Sequence, residues 1–180
     1  MKILSIIICC SLLFISCKRK GKNNKNACNG DTRREVKICT DSKVTLINAT
    51  SIVTSIDSLN AIIVPTVNSG TARLTLEQHT YTVTAKVDKV KKEWDGDYHI
   101  RLTNGTNYLI CEVPNPTCEY ASKSAYVAQY NKVKSFVQNN DLEDKIITIT
   151  GVAFVDIDHY YSRKQANNNI ELHPIFDIKF

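Results

Sequence analysis

Five segments in the C-terminal half of the chain alternate apolar and polar side chains, and this pattern limits the fold more than any other sequence feature. In the first segment, the stretch from Tyr81 to Val87 is rich in β-branched residues and alternates with a period of two, which indicates a strand. The pair Asn104-Gly105, a strong hairpin signal, separates the second and third segments. The predicted strands are residues 79–93, 98–102, 107–113, 145–157 and 170–178.

One helix is predicted between the third and fourth strands, over residues 122–139, with Ser122 as its N-cap. Its apolar positions form one stripe at helical spacing: Tyr126, Tyr130, Val133 and Val137. The resulting order, β-β-β-α-β-β, is that of the OB-fold, a five-stranded barrel with its helix between strands three and four. We therefore predict a mainly β, OB-fold-like barrel over residues 79–180. Another small β-barrel or a β-sandwich is the alternative.

Residues 28–78 are predicted to be an irregular N-terminal lead-in to this barrel. A short helix is expected after an N-cap at Thr40 or Asp41, followed by an extended stretch over residues 49–70 with at most one helical turn. Lys37 and Asp41 are interpreted as capping and docking residues of this segment.

The first 16 residues are predicted to be a lipoprotein signal peptide. Lys2 supplies a minimal positive region, and the apolar run that follows is too short to span a bilayer as a stable helix. This run ends in Leu-Phe-Ile-Ser-Cys, which resembles a bacterial lipobox, with the small residue Ser16 before Cys17. Cys17 is therefore the predicted lipidated first residue of the mature chain. A signal peptide cut near Ser16 without lipidation is the alternative.

Residues 17–27 are predicted to be the lipidated cysteine and a flexible basic tether, because they are mostly Lys, Asn and Gly. The first 25 residues hold six basic and no acidic side chains, so 17 basic residues face 18 acidic ones in the rest of the chain. A nucleic-acid partner is not favoured, since such proteins usually carry a basic face on the folded domain. The predicted partner is the membrane, which places the chain in the bacterial cell envelope, facing the periplasm or the cell surface.

Seven cysteines are present, and Cys9 and Cys10 would leave with the signal peptide. Four remain after Cys17 is set aside, and an even number in an exported protein suggests disulfides. Four cysteines permit three pairings, and their spacing does not choose among them. Metal binding by four thiolates is the alternative, although no C-x-x-C pair is present. The four residues are Cys28, Cys39, Cys111 and Cys118.

The chain resembles a family of small exported bacterial proteins of unknown function. The matching stretches include residues 36–41, the Asp-Gly-Asp-Tyr-His run at 95–99, Glu112-Val113-Pro114 followed by Cys118, and Asn-Ile-Glu-Leu-His-Pro at 169–174. The resemblance implies a Cys28–Cys118 disulfide and leaves Cys39 and Cys111 as either a second bridge or buried thiols. It carries no activity to transfer, and this chain departs from the family in the loop 160–168.

Strand parity points to a candidate face on the outside of the barrel. If the apolar residues of the second and fifth strands face inward, His99, Arg101, Glu171 and His173 face outward. Glu112 joins them if its apolar neighbours in the third strand face inward. Asp156 and His159 follow the fourth strand and are additional candidates. This outer face is the usual ligand surface of an OB barrel.

Imidazoles and carboxylates on a rigid sheet could bind a divalent metal, the one cofactor that the sequence suggests. Arg101 could then position a phosphodiester while a metal or a histidine activates water. Alternatively, the histidines and acids form a structural hydrogen-bond network. The sequence thus favours a lipid-anchored envelope protein with an OB-like binding domain of unknown ligand. The alternative is a metal-dependent, nuclease-like hydrolase. No catalytic residue is assigned, and Asp95-Gly96-Asp97 is interpreted as a turn rather than a calcium loop.

Overall fold

The computed structural model describes Cys28 and residues 32–157 and 164–180. The predicted signal peptide, Cys17, the tether and His159 lie outside these described residues. The strands are β1 (Ser51–Thr54), β2 (Thr80–Lys92), β3 (Tyr98–Thr103), β4 (Tyr108–Val113), β5 (Ile146–Val155) and β6 (Ile170–Lys179). The α-helices are α1 (Arg34–Lys37), α2 (Ile56–Asn60) and α3 (Val127–Asn139). Single 3-10 turns lie at Val44–Leu46, Leu76–Gln78 and Ala121–Lys123.

Strands β2 to β6 close into a five-stranded barrel. They follow the order β2-β3-β4-β6-β5, and β5 pairs back onto β2. β4 and β6 run parallel, whereas the other barrel neighbours are antiparallel. Because β2 is long and its register shifts between Val87 and Lys89, its first half pairs with β5 and its second half with β3. This topology, with α3 between β4 and β5, confirms the predicted OB-fold.

The barrel interior is filled by the inward-facing half of the period-two pattern. Val83, Val87, Ile100 and Leu102 from β2 and β3 are fully buried, as are apolar residues from each of the other barrel strands. α3 packs against β6 and β4 with its predicted apolar stripe, in which Tyr130 and Val133 are fully buried. Because the inward-facing side chains of every barrel strand are buried in the core, any functional group on the barrel must lie on its outer face or at its ends.

The lead-in segment differs from its prediction at the helix expected near Asp41, and its extended stretch pairs with the sheet as a strand. The helix expected after Thr40 or Asp41 is wrong: residues 44–46 form one 3-10 turn, and the α-helical turn α1 lies earlier. The Asp41 carboxylate pairs with Arg73 at 2.7 Å and also accepts from the Lys43 amide at 3.1 Å, so it closes a local turn rather than the first turn of a longer helix. The stretch 49–70 contains a sixth strand, β1, parallel to β2, and the short helix α2.

α3 also begins later than predicted, at Val127 rather than Ser122. The hydroxyl of Ser124 accepts a hydrogen bond from the Tyr126 amide at 3.2 Å and meets the Tyr130 hydroxyl at 3.0 Å, so the chain turns before the helix starts. None of the helices in the described ranges combines the length and apolar character that a bilayer crossing requires.

Candidate functional site

The outer face of β3, β4 and β6 carries most of the residues that strand parity selects. Leu109, Cys111 and Val113 face the core, so Glu112 faces outward. This is the orientation in which Glu112 was expected to join the candidate face. Cross-strand register then pairs His99 with Glu112, Arg101 with Ile110, and Ile110 with Glu171. The face is therefore continuous across three strands.

The first described residues, Cys28 and 32–41, form what we call the N-terminal segment. This segment covers one half of the outer face and is held there by a buried ion pair. Arg33 makes a two-pronged contact with Glu77, at 2.9 Å and 2.7 Å, and both side chains are fully buried. The Arg33 guanidinium also donates to the carbonyls of Thr71, Ala72 and Val155. Glu77 accepts in turn from the backbone amides of Leu74 and Val155, both at 2.8 Å. One ion pair thus joins the N-terminal segment, the 71–77 loop and β5.

Two further links attach the same segment. Arg73 donates to the Val36 carbonyl at 2.8 Å and to the Glu77 carbonyl at 2.9 Å, while it pairs with Asp41. A disulfide joins Cys28 to Cys118, in the loop after β4. The disulfide precedes α1 in the sequence, and the Arg73 contacts are made to α1 itself and to Asp41 after it, so the chain is attached at both ends of the short helix.

The other two described cysteines are free and buried. Cys111 faces the barrel core, and Cys39 lies under the N-terminal segment, 3.6 Å from the Arg73 guanidinium. Of the two outcomes left open for this pair, the structure contains buried thiols and not a second bridge. The alternative of a four-thiolate metal site is wrong, because two of the four sulfurs, those of Cys28 and Cys118, are bonded to each other.

Beneath this segment lies a group that we call the acid–histidine cluster. It comprises Asp97, Glu112 and His173, which converge near the end of β4, with His99 at the rim and Glu171 beside Ile110 on the same face. Glu112 and Glu171 are each 3% exposed and His173 is 1% exposed, whereas Asp97 and His99 are half-buried. The predicted open face is therefore sealed at this point.

Glu112 is the centre of the cluster. Its Oε1 lies 2.6 Å from Nε2 of His99, and its Oε2 lies 3.0 Å from Nδ1 of His173. Burial alone would raise the pKa of Glu112, but the charges of Lys37 and His173 and hydrogen bonds from the two histidines hold that pKa well below its usual value. Burial lowers the pKa of His99, yet Glu112 outweighs it and the net pKa is raised. Glu112 is thus a buried carboxylate that stays ionised.

Lys37 brings a cation into the cluster. Its side chain is nearly fully buried, with Nζ 3.9 Å from Asp156 and 5.2 Å from the centroid of the Phe154 ring. Phe154 also packs edge-on against His173, at 5.8 Å, and under the Arg33 guanidinium, at 5.0 Å. The interpretation of Lys37 as a docking residue fits this position, and Asp156 lies beside Lys37.

Asp97 belongs to this cluster although its sequence context reads as a turn. It lies in the loop before β3, where its carboxylate accepts a hydrogen bond from the Asn115 amide at 2.6 Å. One ligand atom each from Asp97, Glu112 and His173 lies within 4.8 Å of the other two. Burial and the neighbouring Asp95 raise the pKa of Asp97 to about 6. The signal that could have found it is the two-residue step from Asp97 to His99, which keeps both on one face.

The other half of the outer face remains open, and we call it the cationic strip: Lys89, Lys91, Arg101, Tyr108 and Lys164. Lys89 and Arg101 are cross-strand partners, as are Lys91 and His99. The Arg101 guanidinium and the Lys164 ammonium lie 5.6 Å and 5.2 Å from the centroid of the Tyr108 ring. Asp88, at the irregular point of β2, forms an ion pair with Arg101.

The structure thus divides the predicted site residues. His99, Glu112 and His173 come together in the sealed half, and Glu171 lies on the same face beside Ile110 and Phe154. Arg101 lies apart from them, in the cationic strip. A phosphodiester-cleaving arrangement requires the arginine and the acid–histidine group to face one open pocket, whereas in the described part of the chain Glu112 and His173 are buried and Arg101 is partly exposed.

No family model matches the chain, and no curated protein sequence does. Among solved structures, the chain is similar in fold to Entamoeba histolytica asparaginyl-tRNA synthetase, with a TM-score of 0.42, 14% identity, and coverage of 73% of this chain and 24% of that chain. The same enzyme in complex with asparaginyl-adenylate gives a TM-score of 0.39 and 16% identity over 66% of this chain and 23% of that chain. The chain spans about a quarter of the length of these structures.

Replacing Glu77 with glutamine tests the ion pair that holds the segment. The neutral amide cannot balance the buried guanidinium of Arg33, so Glu77→Gln is expected to lower the free energy of unfolding by about 3 kcal/mol. Urea denaturation followed by far-ultraviolet circular dichroism measures this. The matched control is Glu119→Gln, which removes a fully exposed carboxylate paired with Lys123 and should leave the midpoint unchanged. Equal midpoints for both variants would contradict a clamping role for Glu77.

Proposed function

We propose that this chain is a lipid-anchored protein of the bacterial cell envelope whose OB barrel is a non-catalytic module for an anionic partner. The tether attaches it to the membrane, and the cationic strip is the contact surface. The observation that carries the binding proposal is the open half of the outer face, where two cations flank the Tyr108 ring.

The disulfide supports the export part of this proposal. Cys28 is covalently joined to Cys118, and stable disulfides are characteristic of oxidising compartments outside the cytoplasm. The residues between Cys17 and Cys28 can extend over about 35 Å at most. A lipid on Cys17 would therefore keep the barrel within about one bilayer thickness of the membrane surface.

The chemistry of the strip supports an anionic partner. An arginine and lysines around an aromatic ring attract negatively charged groups and give them a flat apolar surface to pack on. OB barrels usually hold ligands on the outer face of their second and third strands and on the loop between the first two strands. In this barrel that loop joins β2 to β3, and it contains the exposed Trp94. Asp88 reduces the strip's charge by pairing with Arg101, so a partner must compete with that pair.

The hydrolase alternative has little support in this geometry. A phosphodiester would need to reach Glu112 and His173, and both side chains are buried beneath the N-terminal segment. The arginine needed to position it is in the open half of the face. We therefore do not assign a reaction to these residues.

Replacing Cys17 with serine tests the anchor. Without a thiol there is no lipid attachment, so Cys17→Ser protein should move from the membrane pellet to the soluble fraction of lysed cells. The control is Cys10→Ser, which changes a cysteine of the predicted signal peptide and should leave the protein in the pellet. Immunoblotting of the two fractions, with radiolabelled palmitate incorporation as a second readout, decides the matter. Cys17→Ser protein that stays in the pellet and still takes up label would refute the anchor.

Heparin chromatography tests the cationic strip, with heparin as the polyanion probe. For the detergent-solubilised lipoprotein, the Arg101→Gln/Lys164→Gln double variant should elute at clearly lower salt than the wild type, because two positive charges leave the contact surface. Asp88→Asn should elute at higher salt, because it releases Arg101 from its ion pair. The double variant Lys132→Gln/Lys179→Gln, which removes two charges on or beside α3, is the matched control. Equal shifts for both double variants would contradict binding through the strip.

A further inference from the structure

We propose that Asp97, Glu112 and His173 form a binding site for one divalent cation, with the donor set of a zinc site. The site lies in the sealed half of the outer face, so this inference does not depend on the anionic partner proposed above. It assigns a role to the acid–histidine cluster, which that function leaves unused.

The three side chains already converge on a common point. One nitrogen of His173 and one carboxylate oxygen each of Asp97 and Glu112 lie within 4.8 Å of one another. Three donors about 2 Å from a shared zinc ion lie about 3–4 Å apart. The atoms therefore need shifts of ångström size, within the reach of side-chain rotation, to bind one ion.

His173 supplies an independent indication that something belongs here. Its ring is 1% exposed, and among the described residues its Nε2 makes no hydrogen bond. Its other nitrogen, Nδ1, lies 3.0 Å from Oε2 of Glu112. Buried imidazoles are almost always hydrogen-bonded or bound to a metal, because an unsatisfied buried polar atom costs about 1–3 kcal/mol.

Hydrogen-bonding neighbours orient the carboxylates of Asp97 and Glu112, as residues that contact the ligands of a metal site commonly do. Nε2 of His99 lies 2.6 Å from Oε1 of Glu112, which leaves Oε2 directed toward His173. The Asn115 amide donates to Oδ1 of Asp97 at 2.6 Å, which fixes that carboxylate. Such outer contacts set the direction of ligand atoms and commonly change metal affinity by about 10–100-fold when removed.

A small cavity of about 30 Å³ lies beside one of the three side chains. It is lined by Asp97, Asn115 and the Cys28–Cys118 disulfide, among others, but not by Glu112 or His173. This is room for one or two water molecules next to Asp97.

The donor set also separates zinc from the alkaline earths. One imidazole nitrogen with two carboxylates suits zinc and similar transition metals, whereas calcium requires six to eight oxygen ligands.

The test measures zinc binding to the chelator-treated, detergent-solubilised lipoprotein by isothermal titration calorimetry. We expect one Zn²⁺ per chain, and cobalt(II) in its place should give the visible absorption of a tetrahedral site. Asp97→Asn should weaken zinc binding at least about tenfold. Because asparagine keeps an oxygen that accepts from the Asn115 backbone amide, this variant should remain folded, and far-ultraviolet circular dichroism verifies that. The control is Asp177→Asn, a half-buried aspartate outside both the cluster and the cationic strip.

The result that would overturn the proposal is no saturable zinc binding by folded wild-type protein at micromolar concentrations. Equal affinities of Asp97→Asn and wild type would overturn it too. His173→Gln is the second variant: loss of the cobalt absorption with retained circular dichroism supports the site, whereas an unchanged cobalt spectrum in a folded His173→Gln protein contradicts it. None of these outcomes depends on heparin binding, so the site and the proposed function fail separately.

Discussion

The buried ion pair between Arg33 and Glu77 determines what the rest of the outer surface can be. A guanidinium and a carboxylate removed from water are stable only when every donor and acceptor is satisfied, and here all their partners are backbone groups or each other. Those partners lie on three separate parts of the chain. The pair therefore fixes the N-terminal segment on β5, and the disulfide at Cys28 fixes the start of the same segment near β4.

This attachment divides an otherwise ordinary OB-barrel face into two parts with different chemistry. Under the segment, carboxylates and imidazoles are withdrawn from solvent around Glu112, where their mutual charges keep Glu112 ionised. Outside it, the partly exposed Arg101 and the exposed Lys164 both lie within 6 Å of the Tyr108 ring centroid. The proposed cation site belongs to the first part and the proposed contact with an anionic partner to the second. An OB barrel with its whole outer face open would not separate them.

The sequence could predict the barrel because its strands obey a local rule, the two-residue alternation that fills the core with Ile100 and Leu102 and turns His99 outward. The same parity correctly grouped Glu112 with His173. It could not reveal that this group is buried, since burial depends on Arg33 and Glu77, which are 44 residues apart and meet only through tertiary packing. Asp97 was missed for a related reason: Asp-Gly-Asp has the composition of a turn, and only the loop geometry brings its carboxylate to Glu112.

If the N-terminal segment is docked as firmly as the barrel itself, the two free thiols among the described residues can measure this directly. Cys39 lies under the segment and Cys111 inside the barrel, and burial raises the pKa of the Cys39 thiol to about 12 and that of Cys111 well above its usual value. Maleimide labelling of the native protein, followed by peptide mass spectrometry, gives a rate for each. The docked segment predicts that both thiols label far more slowly than in the urea-denatured protein. Rapid labelling of Cys39 with Cys111 still protected would contradict it.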